Sequence, residues 1–181
     1  MDRIFKELKE RLELSRPIEA HAEIHELILA GETEAIEFKS TLRFDLIKGE
    51  KNDKLEYAII KTIAAFMNTE GGTLIIGVDD DKNILGLDKD IQTLKKQNID
   101  GFELHLRELY KSYIGAELAS HIKVTFPDIE EKKICVVKVS KCSQPIFTKY
   151  EGREDYYVRA GCASQPLSRE EQSRHEKQRM A

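Results

Sequence analysis

Apolar side chains recur along this chain at three spacings, and each predicts a different element. Between Asp2 and about Leu14, Ile4, Phe5, Leu8 and Leu12 return at helical spacing among Lys, Arg and Glu. That pattern predicts an amphipathic helix docked on the domain or on another copy. A second helix starts near Pro17, carries Ile24, Leu27 and Ile28, and stops at Gly31. Leu55, Ile59, Ile63 and Phe66 form one face of a third, which Asn68 and Gly71-Gly72 end; Phe102, Leu106, Leu109 and Tyr113 mark a fourth. Strict alternation over Ile36 to Leu42 predicts a half-buried strand with Glu37, Lys39 and Thr41 facing away from the core. Thr73 to Val78 is nearly continuously apolar, the signature of a central strand covered on both sides, and Ile84 to Leu87 follows as a hairpin partner. Further strands are expected over Ile122 to Phe126, Lys133 to Val139 and Asp155 to Ala160. Ser168-x-x-Glu171 has the form of a capping box that opens a final charged helix. Phe44 to Asp53 reads as a polar loop.

Helices and strands mix without β-α-β alternation, so the expected class is α+β, a mixed β-sheet with packed helices in a single domain. The boundaries read as an N-terminal helix over 1–16, the domain over 17–172 and a charged helix end or tail over 173–181. Composition agrees: 181 residues, 40% hydrophobic and 34% charged, suit one core with extra surface helix. No apolar run approaches the roughly 20 residues of a membrane span, and the first residues are too charged for a signal peptide, so a cytoplasmic protein is expected. Cys135, Cys142 and Cys162 form no C-x-x-C pair, which supports neither a disulfide framework nor a zinc knuckle. The net charge of -4 means that a nucleic-acid site must be a local patch.

Candidate chemistry gathers at two places. Asp79, Asp80 and Asp81 follow the central strand, where aspartates commonly support a turn. Asp79, Asp81 and Asn83 echo the start of a calcium loop, but Ile84 occupies the position that needs glycine. Glu32, Glu34 and Glu37 stand before and within the first strand, with Lys39 on the face of Glu37. Carboxylates and a lysine around one strand recur in metal-dependent nucleases, where the acids hold a divalent cation that activates water. Spacing alone favours the plainer alternative of an exposed Glu37 and Lys39 pair. Convergence of Glu32 with Glu37, five residues apart, also requires a bend near Glu34. His21 and His25 lie one helical turn apart without an evident third metal ligand. No G-x-x-x-x-G-K-[ST] loop is present to cradle nucleotide phosphates.

Three ordered motifs carry a resemblance: Gly31-Glu32-x-x-x-x-Glu37-Phe38-Lys39, then Ala65 to Asp80 with its Asn68-Thr69-Glu70-Gly71-Gly72 centre, then Tyr157-Val158-Arg159-x-Gly161. From about Ile24 to Glu171 the chain resembles the Schlafen AlbA-2 domain. The resemblance implies an α+β nucleic-acid-binding module that in bacteria and archaea often precedes a winged-helix region. In the animal Schlafen proteins two such lobes form a clamp that cleaves tRNA or rRNA with three acidic residues and a divalent metal. Carried over, the catalytic and metal-binding acids fall on Glu32, Glu37 and either Asp80 or Asp79. Motif spacing favours Asp80, while Asp79 is nearer the strand; Mg²⁺ or Mn²⁺ would be the ion and Lys39 an assisting cation. Met67 departs from the alanine common at its position, and no winged-helix region follows, which weakens a regulator reading.

Phosphate would be drawn in by Lys39, Arg43, Lys48, Lys51 and Lys61, with a second set in Lys132, Lys133, Lys138, Lys141, Lys149, Arg153 and Arg159. Tyr150, Tyr156 and Tyr157 could stack on bases, though alternating aromatics in a strand usually belong to a core. The expected partner is RNA, tRNA first, or DNA, with no membrane. Two lobes in the animal clamp against one here imply a homodimer. A non-catalytic nucleic-acid or protein-interaction module, its acids serving structure, stands as the alternative.

Overall fold

The computed structural model describes residues 21–180, so the helix expected over the first residues lies outside the described part. The first half contains α1 (21–30), β1 (Ile36–Lys39), β2 (Phe44–Asp45), β3 (Glu50–Lys51), α2 (Asp53–Asn68), β4 (Gly72–Ile76), α3 (Asp88–Gln92) and α4 (Ile99–Tyr113). After a 3₁₀ turn (Ala116–His121) come β5 (Ile122–Thr125), β6 (Asp128–Ile129), β7 (Lys132–Lys133) and β8 (Cys135–Val139). The last part holds β9 (Thr148–Tyr150), β10 (Arg153–Asp155), β11 (Tyr157–Ala160), β12 (Ala163–Pro166) and α5 (Arg169–Met180). The class is α+β, as expected. Among the described residues no helix is long and apolar enough to cross a membrane.

The principal sheet has the order β1-β4-β8-β5, with β1 parallel to β4 and the other pairs antiparallel. Its central strands are apolar on both faces because both are covered. Leu74, Ile76, Cys135 and Val137 pack with Ile59, Ile63 and Phe66 of α2 and with Phe102 and Leu106 of α4. Ile75 and Val136 turn the other way, joining Phe38 of β1 and Ile24 and Ile28 of α1. Each fully buried aliphatic side chain contributes about 1.5–3 kcal/mol of transfer free energy, so these two layers hold the sheet.

The face of Glu37 is a correction. Glu37 pairs in register with Leu74 and so points into the α2 layer; it and Thr41 are buried. Alternation reported two unlike faces of β1 but not that the polar one would be roofed over.

The glycines after α2 have distinct reasons. Gly71 adopts φ +82°, and a Cβ on it would meet the Val139 carbonyl at 2.6 Å. A Cβ on Gly72 would lie 2.3 Å from the Phe66 ring. The helix therefore turns directly into the central strand only with this pair. The segment expected to be a loop after β1 is a β2-β3 hairpin whose tip exposes Ile47. Its root is held by Asp90 on α3. The buried carboxylate accepts the N–H groups of Leu42, Arg43 and Phe44 at 2.7, 2.8 and 2.8 Å. Burial pushes the Asp90 carboxyl up from its ordinary value, with these three donors pulling the other way.

The capping box forms: Glu171 accepts the Ser168 N–H at 2.8 Å and the Ser168 hydroxyl at 2.6 Å. The helix it opens runs unbroken past Gln172. Arg179 donates to the Cys142 carbonyl and, at 3.0 Å, to the Tyr156 hydroxyl. Those Ser168 donors hold the Glu171 carboxyl below its ordinary value. Its contribution to folding is therefore present above the ordinary carboxylate range and lost as pH falls through the lowered value. Carbon-13 titration of Glu171 should give a depressed midpoint that Ser168→Ala raises part of the way, since the backbone N–H remains; a midpoint that the substitution leaves unchanged would contradict the cap.

Candidate functional site

The bend needed to bring Glu32 towards Glu37 is present. Thr33 and Ile36 exchange backbone hydrogen bonds of 3.0 and 3.3 Å around Glu34 and Ala35, folding the chain beside β1. Glu32 Oε1 accordingly accepts the Phe38 N–H at 2.7 Å. Glu37 lies between two cations: Lys39 Nζ donates to Oε1, and Arg159 Nη1 stands 2.8 Å from Oε2 without hydrogen-bond alignment. The acidic turn is near, since Gly77 and Val78 both donate to the Lys39 carbonyl, at 2.8 and 3.4 Å. Asp79, however, spends its oxygens on the Asn83 N–H and side-chain amide at 2.8 and 2.9 Å, and Asp80 is exposed.

These donors do not fit a divalent cation as arranged. Glu37 is neutralised by lysine and arginine, one oxygen of Glu32 caps a strand N–H, and both Asp79 oxygens brace a turn. Among the described residues no group of three or more His, Cys, Asp or Glu side chains is placed to hold a metal ion.

Arg159 is the second correction. Expected as a phosphate contact, its side chain is wholly buried. It donates to the Glu34 carbonyl at 3.2 Å, the Thr33 carbonyl at 3.1 Å and the Ser164 hydroxyl at 3.2 Å. Its guanidinium also sits over the Phe66 ring, 5.0 Å from the centroid. It fastens the Glu32–Glu37 bend to β11. Arg43 is likewise buried, against Glu56.

The lysines divide by company. Lys39 is paired with Glu37, Lys51 with Asp53 at 3.0 Å and Lys149 with Glu154 at 3.4 Å, while Lys48 is exposed with no ion-pair partner among the described residues. In the second set, Lys133 pairs with Asp128, Lys138 with Glu23 and Lys141 with Glu70. Exposed pairs of this kind contribute about 0–1 kcal/mol and yield readily to a polyanion.

Lys61 has different neighbours. Its ammonium lies 5.6 Å from the Tyr57 ring centroid and 5.7 Å from that of Tyr157. Tyr57 stacks on Tyr150 with centroids 4.0 Å apart and planes 13° from parallel, and Tyr113 leans on both. Tyr113, Tyr150 and Lys61 are half-buried and so reach solvent at one edge. Burial pushes the hydroxyls of Tyr113, Tyr150 and, most strongly, Tyr157 upward, which keeps them neutral donors. Tyr156, in contrast, is core, packed on Phe147 and His175. Sequence reading missed Tyr57 and Tyr113. The available signal was Tyr57 and Lys61 one helical turn apart, on a flank of α2 away from its apolar stripe.

Residues 32–168 match the family described as Schlafen, AlbA_2. Two solved structures are similar in fold. The DIP2311 protein from Corynebacterium diphtheriae is 19% identical with a TM-score of 0.55, over 81% of this chain and 28% of that one. The N-terminal domain of an ATP-dependent DNA helicase RecG-related protein from Nitrosomonas europaea is 21% identical with a TM-score of 0.51, over 82% of this chain and 93% of that domain. This chain thus spans less than a third of the length of the first.

Proposed function

The chain belongs to the Schlafen AlbA_2 family, and from that membership we propose a nucleic-acid-binding domain, acting in the cytoplasm, whose contact surface is the tyrosine stack beside Lys61. The observation that supports this reading is the company of Lys61: a half-buried cation over the buried Tyr57 and Tyr157 rings, with Tyr150 stacked on Tyr57 and Tyr113 leaning on both, these two outer rings reaching solvent. Bases stack on such rings at about 1–3 kcal/mol each by alanine substitution, and the cation meets the adjoining phosphate. Lys48, Lys51 and Lys149 add exchangeable positive charge, since their acidic partners, where present, are exposed. Single strands and the loops of structured RNA offer unstacked bases, so they should bind better than duplex.

Fluorescence anisotropy with tRNA, single-stranded RNA and single-stranded DNA tests the reading. Tyr150→Ala is expected to weaken binding about 5-fold to 100-fold, and affinity should fall steeply with salt. Binding indifferent to both would overturn it.

Metal-dependent endoribonuclease activity on tRNA is the narrower proposal. It requires Glu32 and Glu37, and Asp79 if that is the third acid, to leave their present partners and gather with Asp80 or Asp79 on Mg²⁺ or Mn²⁺, with Lys39 released. Incubation with tRNA and either ion, with EDTA as control, decides between cleavage and binding. Glu32→Gln and Asp80→Asn are the informative variants, because Glu37→Gln also disturbs a buried ion pair. Pairing of two copies belongs to the same proposal, and a monomer at micromolar concentration in sedimentation would remove it.

A further inference from the structure

Beside the tyrosine face, a cleft of about 590 Å³ opens between α4 and the chain that follows β1. Arg43, Lys95, Lys96, His105 and Glu108 line it. Arg43 is the unusual member, with a side chain only 9% exposed. Two acids on other elements hold it. Asp90 accepts its backbone N–H at 2.8 Å, and buried Glu56 lies 2.8 Å from its Nε while also bonding His105 Nε2 at 2.7 Å. Yet the Nε is not aligned on Glu56, and the guanidinium makes no hydrogen bond to any described residue. Its nearest other acid, Asp53, is 3.9 Å away and 63% exposed. The Nε is thus ion-paired with Glu56 but unaligned, while the remaining guanidinium N–H groups, which are not buried, are available to an anion in the cleft.

We propose that this cleft is a phosphate subsite, in which the Arg43 guanidinium forks onto two phosphate oxygens and Lys95 closes from the rim. Lys95 has no ion-pair partner among the described residues, whereas Lys96 is engaged with Asp100 at 3.1 Å. Glu108 on the same rim limits the charge accepted, so the site takes one phosphate rather than a run of them. The inference rests on the nucleic-acid reading above, because cleft and tyrosines share two helices. Glu56 and Tyr57 are consecutive on α2, and His105 and Tyr113 are separated by eight residues on α4, about 12 Å along its axis. A strand with bases on the tyrosines would present a phosphate here, from its backbone or from its 5′ end.

Inorganic phosphate is titrated at constant ionic strength while the His105 ring and the Arg43 Nε–H are followed by NMR. Saturable shifts are expected, with affinity falling about fivefold or more in Lys95→Gln and in Arg43→Lys, which keeps the charge but loses the fork. Lys95 is exposed, so its variant stays informative if Arg43→Lys unfolds. Shifts that chloride reproduces, or phosphate affinity unchanged in Lys95→Gln, would mean an adventitious ion only and overturn the site. A matched RNA oligonucleotide with and without a 5′-phosphate separates the sources. Preference for the phosphorylated strand, lost in Lys95→Gln, indicates an end group; equal affinities that fall together indicate the backbone. RNA binding sensitive to Tyr150→Ala but not to Arg43 or Lys95 overturns the cleft alone. Saturable phosphate binding without any RNA or DNA binding instead overturns the nucleic-acid reading.

Discussion

Replacing Arg159 with methionine is expected to cost about 3–5 kcal/mol of folding free energy, because the partner it leaves is a buried charge. Glu37 would keep only Lys39, on its more exposed side, and its Oε2 would face the Phe66 layer unpaired. The carbonyls of Thr33 and Glu34 would lose their donors too, so the bend carrying Glu32 should loosen. A fall in the urea midpoint at constant slope measures the loss. The double variant Arg159→Met, Glu37→Leu should recover the part of the loss that comes from the unpaired Glu37 charge, while the part at the Thr33 and Glu34 carbonyls remains. A single variant as stable as the parent would show that Glu37 is hydrated or protonated there. The same reasoning sets a condition on the cleavage assay: lost activity in any Glu37 variant counts only alongside an unchanged melt.

Asn68→Ala should be comparably severe, about 3–5 kcal/mol, because one fully buried amide serves three backbone groups and each unpaired group costs about 1–3 kcal/mol. Nδ2 donates to the carbonyls of Ile146 and Tyr157 at 2.7 and 2.9 Å, and Oδ1 accepts the Ile146 N–H at 2.8 Å. Asn68 thereby joins the end of α2 to the Ile146 segment and to β11. Asn68→Asp should be no better, as it keeps the acceptor for Ile146 but sets negative charge against two carbonyls. Amide exchange at Ile146 should accelerate in step with the drop in melting temperature. A loss below about 1 kcal/mol would mean that water has replaced the side chain.

Both residues lie in the motifs that carry the family resemblance, and both serve structure. Asn68 marked the end of α2 in the sequence, but nothing local revealed that its amide would cross to segments 78 and 89 residues away. Arg159 was read as a cation for phosphate as one of the basic set that runs along the later strands. Its partner, Glu37, is distant in sequence, and only the packing of β11 on α2 brings them together.

Much of the architecture was legible from periodicity. The stripe of α2, the continuous apolar run of β4 and the capping box of α5 are local patterns with local physical causes, and each formed where it was expected. The candidate site was legible only in part. The two-residue period of a strand made a bend near Glu34 the condition for Glu32 and Glu37 to converge, but which face of β1 is roofed, and which carboxylate oxygens are already occupied, depend on elements far along the chain.

The sequence by itself determined α1, α2, α4 and α5, the central strand and the family, because these rest on spacing, turn chemistry and ordered motifs. Tertiary structure alone decided that Glu37 is an inward, neutralised charge, that Arg159 is an anchor, and that Lys61, Tyr113 and Tyr150 gather around the buried Tyr57. Burial and the partner of a charge are set by contacts between distant segments, and residue spacing along one segment carries no information about them.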